Sequence, residues 1–147
     1  MSLKDRIQQE MKDAMRAGDK PRLATIRLIL AAIKQIEVDE RIELDDARVT
    51  AVLDKMVKQR RESISQFEKA GRDDLVVQEA GELALIQEYL PEPLGEEALA
   101  SLIEAALQQS GAASIKDMGK VMGLLKPKIQ GRADMGAVSA IIRDRLG

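Results

Sequence analysis

Residues 89–95 read Tyr-Leu-Pro-Glu-Pro-Leu-Gly, and the rest of the chain divides around them. Two prolines separated by one residue remove two backbone donors and push the residues before them out of helical conformation. No helix continues through such a segment. It predicts a linker between an N-terminal region, residues 1–90, and a C-terminal region, residues 95–147.

On both sides of the linker the composition is that of helix. Ala, Leu, Lys, Glu, Gln, Arg and Met dominate, residues that lose little rotamer freedom in a helix, while Val, Ile and Thr are too scattered for strands. A chain of 147 residues can bury roughly 70% of the surface its unfolded form exposes, so it needs no disulfide or metal to hold a core. That core must be aliphatic, because Phe67 and Tyr89 are the only aromatic residues.

Upstream, four helices are predicted. The first spans Leu3 to Ala17, with Ser2 and Asp5 as a capping box, Leu3, Ile7, Met11 and Met15 on one face, and Gly18 as its stop. Asp19 and Pro21 open a second, apolar nearly all round (Leu23, Ile26, Ile29, Leu30, Ile33, Ile36) and therefore expected at the centre. Val38 to Leu44 reads as a charged connection. Asp45 or Asp46 then caps a long third helix to about Ala70, with Val49, Val52, Leu53, Met56, Val57, Ile64 and Phe67 inward and Gly71 as its stop. A fourth begins at Asp73 and runs toward Tyr89 and Leu90. Downstream, three helices are predicted over Glu96–Gln109, Ile115–Lys126 and Met135–Leu146. Ser114 with Asp117 caps the second of these and Asp134 the third. The fold class is all-α, a four-helix region followed by a three-helix module.

Several function classes are excluded at once. Without Cys or His there is no thiolate nucleophile and no imidazole base or ligand. Ser63, Ser65 and Ser139 therefore have no imidazole to activate them, and no Gly-x-Ser-x-Gly elbow, Walker A or dinucleotide fingerprint occurs. Glu79, Glu82 and Glu88 lack the histidine partners of a di-iron pattern. No catalytic residue, cofactor or metal ligand is expected. The longest apolar run, Leu28 to Ile33, is far short of the roughly 20 residues a membrane span requires. The opening Met-Ser-Leu-Lys-Asp-Arg has no apolar leader. With no Cys either, the expectation is a soluble, cytoplasmic protein.

Net charge is −2, which argues against bulk attraction to nucleic acid and against DNA as a partner. Its distribution is uneven. From Ser114 to Gly147 seven cations stand against three acids. They gather around the segment Gly-Lys-Val-Met-Gly-Leu-Leu-Lys-Pro-Lys-Ile-Gln-Gly-Arg-Ala-Asp-Met-Gly, residues 119–136. Gly119 and Gly123 lie inside a predicted helix, where each costs on the order of 1 kcal/mol relative to Ala. Either close helix packing or close approach by a ligand would account for them. Pro127 is expected to end that helix and Gly131 to take a positive φ. Lys120, Lys126, Lys128 and Arg132 then cluster beside the free N–H groups of the helix opened by Asp134, a suitable place for an anion. A second basic patch, Lys55, Lys58 and Arg61 with Arg60, lies on the third helix, diluted by Glu62 and Glu68.

The run Val-Met-Gly-Leu-Leu-Lys-Pro-Lys-Ile-Gln-Gly-Arg-Ala-Asp (121–134) resembles the C-terminal signature of the GatB/YqeY family. Leu-Ile-Leu-Ala-Ala-Ile-Lys (28–34), Lys-Gln-Arg-Arg-Glu-Ser-Ile (58–64) and Tyr-Leu-Pro (89–91) look like its stand-alone YqeY-like members. The resemblance covers nearly the whole chain. It implies a module similar to the tail of the B subunit of the glutamine-dependent tRNA amidotransferase, where the helical tail engages tRNA. The catalytic parts of that enzyme lie in regions this chain lacks.

The expectation is therefore a non-catalytic accessory protein that binds structured RNA, tRNA first, through Lys120, Lys126, Lys128, Arg132 and the glycines 119, 123 and 131. With so few aromatics, affinity would rest on phosphates and shape rather than base stacking. The alternative is a protein–protein adaptor for an enzyme of tRNA aminoacylation or amidation, using Met118, Met122 and Met135 as an adaptable surface. Carbon–nitrogen ligase activity with glutamine as amide donor follows from the family association alone.

Overall fold

A computed structural model describes all 147 residues, Met1–Gly147. Seven α-helices and one short 3₁₀ turn account for the regular structure, so the chain is all-α. It divides into two compact units, Met1–Leu90 and Pro91–Gly147.

The first unit holds α1 (Leu3–Ala17), α2 (Lys20–Glu40), α3 (Asp46–Lys69) and α4 (Asp73–Gln87). Local signals set most of their ends. The Ser2 hydroxyl accepts from the Asp5 N–H while the Asp5 carboxylate accepts from that of Ser2. Gly18 and Gly71 take positive φ at the stops of α1 and α3. The Asp19 and Asp45 carboxylates cap α2 and α3 by accepting from the N–H groups of Arg22 and Arg48. Ile7, Ile26, Ile29, Ile33, Leu53 and Ile86 are sealed in one aliphatic core.

In this unit the end of α2 departs from expectation. Val38 does not begin a connection; α2 continues to Glu40 and ends at Arg41, which adopts φ 56° without being glycine. The last turn closes on Glu37, whose backbone carbonyl accepts from the Arg41 and Ile42 N–H groups. Its carboxylate is buried, accepts from Lys4 Nζ of α1 at 2.8 and 3.0 Å, and accepts from the Leu44 N–H at 3.0 Å. The acid thus ties α1, the last turn of α2 and the following loop together. Lys4 and the Leu44 N–H hold the Glu37 carboxyl below its ordinary range, and Glu37 in turn raises Lys4.

The second unit holds α5 (Glu96–Ser110), a 3₁₀ turn (Ile115–Asp117), α6 (Met118–Ile129) and α7 (Met135–Leu146) around Ile103, Ala106, Val121, Leu125, Ile129, Val138 and Ile142. The Asp117 carboxylate accepts from the Ala113 and Ser114 N–H groups, which lowers its pKa. The expected helix from Ile115 to Lys126 is shifted. It opens as the 3₁₀ turn and continues three residues past Lys126, with Pro127 inside its last turn. Pro127 lies two residues from the end of α6, so its missing N–H costs the helix one bond, to the carbonyl of the exposed Gly123. No helix of the chain is long and apolar enough to cross a membrane.

Candidate nucleic-acid interface

The exposed side of α6 is unusually bare. Gly119 and Gly123 are both exposed, and a Cβ built on either meets nothing within 4 Å. Tight packing within the fold therefore does not account for them. At roughly 100° per residue, positions 119, 123 and 126 share one stripe, opposite the buried Val121 and Leu125. Lys126 borders the stripe on one side and Lys120 on the other; both are exposed.

The neighbouring helix supplies the other wall. Ser139 Oγ of α7 lies 3.9 Å from Met122 Sδ, so the edge of α7 that carries Ser139 adjoins the glycine stripe. Gly136 and Arg143, three residues before and four after Ser139, lie on that same edge and are exposed. Arg143 is inconspicuous in sequence, because it lies eleven residues beyond Arg132 and only helical spacing puts it on the same edge as Gly136 and Ser139. The result is a shallow, glycine-lined edge bounded by Lys120, Lys126 and Arg143, with no carboxylate in ion-pair range of the three.

Other expected members fall elsewhere. Lys128 is exposed but lies two residues from Lys126, roughly 200° around the helix and on the opposite flank of the buried stripe. Arg132 serves the fold: its Nε donates to the Glu92 carbonyl at 3.1 Å, and its own carbonyl accepts from the Leu94 N–H at 2.8 Å. Gly131 is buried with φ 77°, which makes the turn between α6 and α7. At the N-terminus of α7 the Asp134 carboxylate accepts from the Gly136 N–H at 3.0 Å, so one of the donors expected to face an anion is already taken. Met118, Met122 and Met135 pack partly buried against the core of this unit, which leaves little of them for an adaptor surface.

In the first unit, Lys55, Lys58 and Arg61 are exposed along α3. Arg60 is drawn away to α4, 3.3 Å from Glu82 and 4.0 Å from Glu79. Glu88 pairs with Arg22 at 3.1 Å. All three acids weighed above as metal ligands therefore have arginine partners.

Comparison with known proteins shows the family. A sequence-family model described as "Yqey-like protein" matches residues 4–146. A Pyrenophora tritici-repentis protein named "Altered inheritance of mitochondria protein 41, mitochondrial" is 35% identical over 147 residues, covering 97% of this chain and 80% of the relative. Its namesake in Lachancea thermotolerans is 31% identical over 143 residues, 92% of this chain and 76% of the relative. In Eremothecium gossypii the namesake is 47% identical over 85 residues, but the match spans 57% of this chain and only 46% of that relative. These names correct one expectation. The cytoplasmic assignment rested on the absence of Cys and of an apolar leader, and relatives this similar are named as mitochondrial. Such features constrain solvent and redox chemistry, which do not single out one aqueous compartment.

Proposed function

Because the chain belongs to the YqeY-like family, we propose that it is a non-catalytic accessory protein that docks on structured RNA, tRNA first, along the α6–α7 edge. One observation carries the reading. Two glycines weaken an exposed helix by about 1 kcal/mol each, nothing in the fold needs the space they leave, and unpaired cations border them. A backbone laid against α6 would use both the space and the charge.

The chemistry suits phosphates better than bases. No aromatic side chain lies in the second unit, so base stacking cannot contribute. Lysine and arginine ammonium and guanidinium groups at an open surface bind phosphate chiefly by releasing counterions. With three cations engaged, affinity should fall roughly 30-fold between 50 and 200 mM salt.

The test is retention of a labelled tRNA in an electrophoretic shift assay. Lys120→Glu with Lys126→Glu should abolish retention while the helical circular dichroism stays unchanged. Retention equal to the unaltered chain would discard the proposal. Release of ammonia from glutamine by the purified chain would overturn the non-catalytic reading and point to the amide-donor half of carbon–nitrogen ligase chemistry.

A further inference from the structure

The first unit carries a basic feature of a different kind. Two adjoining hollows of about 470 and 380 Å³ lie along α1 and α2 and share Lys4, Lys34 and Glu37. Together they make one furrow. Its apolar lining is Met11, Leu30 and Ile33, followed by Val38 and Ile42, which are 59% and 43% exposed. From Leu30 to the end of α2 it runs roughly 15 Å, about three helical turns.

The charges along it are one-sided. Glu37 is neutralised by Lys4 at 2.8 Å. Lys12, Lys34 and Arg41 are exposed along the rim with no carboxylate in ion-pair range, against the single acid Glu43. A furrow with an aliphatic floor and a cationic rim is complementary to a helix with leucine-like residues on one stripe and carboxylates beside it.

We propose that this furrow docks an acidic amphipathic helix of a partner protein. Apolar side chains of that helix would cover Leu30 and Val38, and its carboxylates would meet Lys12, Lys34 and Arg41. A second copy of this chain fits poorly, because a twofold contact through the furrow sets cations against cations. Nucleic acid fits poorly as well, because the phosphates would leave the aliphatic floor uncovered and no aromatic ring is present to stack a base.

The experiment is fluorescence anisotropy on the full chain with two synthetic helical peptides. Both have leucines at i, i+3, i+4 and i+7 spacing; one carries glutamates beside them and the other lysines. The glutamate peptide should bind at least about tenfold more tightly than the lysine peptide. Lys12→Glu with Lys34→Glu, and separately Val38→Asp, should each weaken it by about tenfold. Leu28→Asp, an exposed position of the same helix outside the furrow, should leave it unchanged. Circular dichroism of every variant confirms the fold. Failure of the glutamate peptide to bind, equal binding of the two peptides, equal loss on Leu28→Asp, displacement by a single-stranded RNA, or dimerisation in sedimentation equilibrium would each overturn the proposal.

Discussion

The two units treat charge differently. In the first, six of the nine arginines and one lysine are paired: Lys4 with Glu37, Arg6 with Glu10, Arg16 with Asp13, Arg22 with Glu10 and Glu88, Arg48 with Glu40, Arg60 with Glu79 and Glu82, and Arg72 with Asp74. In the second, Arg145 with Glu104 is the one ion pair and Arg132 is bound to a carbonyl. Lys116, Lys120, Lys126, Lys128 and Arg143 stand exposed. The difference teaches that local cation excess is a poor guide until the pairing is known. Arg60 belongs to a basic patch in sequence yet joins two helices, while Arg143 attracts no notice in sequence yet stands open.

The largest effects should come from the cores. Ile29→Ala in the first unit and Ile142→Ala in the second each remove a sealed side chain and should cost about 2–5 kcal/mol, read from urea unfolding. The smaller second core should tolerate the loss less, leaving its helical signal lost at lower denaturant. Equal midpoints would erase that contrast.

Acid should come next. Glu37 is held below the ordinary glutamate value of 4.5 by Lys4 and the Leu44 N–H. Its contribution is therefore present above pH 4.5 and lost as pH falls through the lowered value. Glu37→Gln should lower the urea midpoint at pH 7 and flatten its decline in acid. A decline as steep as in the unaltered chain would show that the carboxylate is not spent on the fold.

Gly119→Ala with Gly123→Ala should raise stability by about 1–2 kcal/mol in total, since both sites are open. The same variant should bind tRNA more weakly. Higher stability with unchanged retention would separate the glycines from the cations.

The smallest change is expected at Tyr89. Its hydroxyl is buried without a well-formed hydrogen bond, as is the nearby Glu10 Oε2. Burial, and then the Glu10 carboxylate, push its pKa up to about 12. Stability should thus hold below pH 10 and fall as pH rises toward 12. Tyr89→Phe should remove that alkaline decline and add about 1 kcal/mol at pH 7, as seen in thermal melts at both pH values.

Much of the helical layout was legible because it is punctuated locally. Ser2 with Asp5, Gly18, Asp45, Gly71 and Asp134 each act on backbone groups within a few residues, so spacing alone reveals them. What was hidden depends on distant contacts. Glu37 looks like one more surface acid until Lys4, thirty-three residues earlier, arrives beside it. Arg41 ends α2 with a positive φ that favours glycine, and its turn closes on the Glu37 carbonyl. Arg132 reads as a free cation beside glycines, whereas its partners are 38 and 40 residues away. The openness of Gly119 and Gly123 could not be read either, because a glycine spacing of four serves packed and bare helices equally.

The Arg132 contact also fixes where the chain can be cut. Its guanidinium and carbonyl hold Glu92 and Leu94 against the α6–α7 turn, so the residues ahead of α5 belong to the second unit. A fragment starting at Glu96 would leave that carbonyl unpartnered and strip Leu94 from the core it packs on. One starting at Pro91 would keep both, and should resist proteolysis where the shorter fragment is digested.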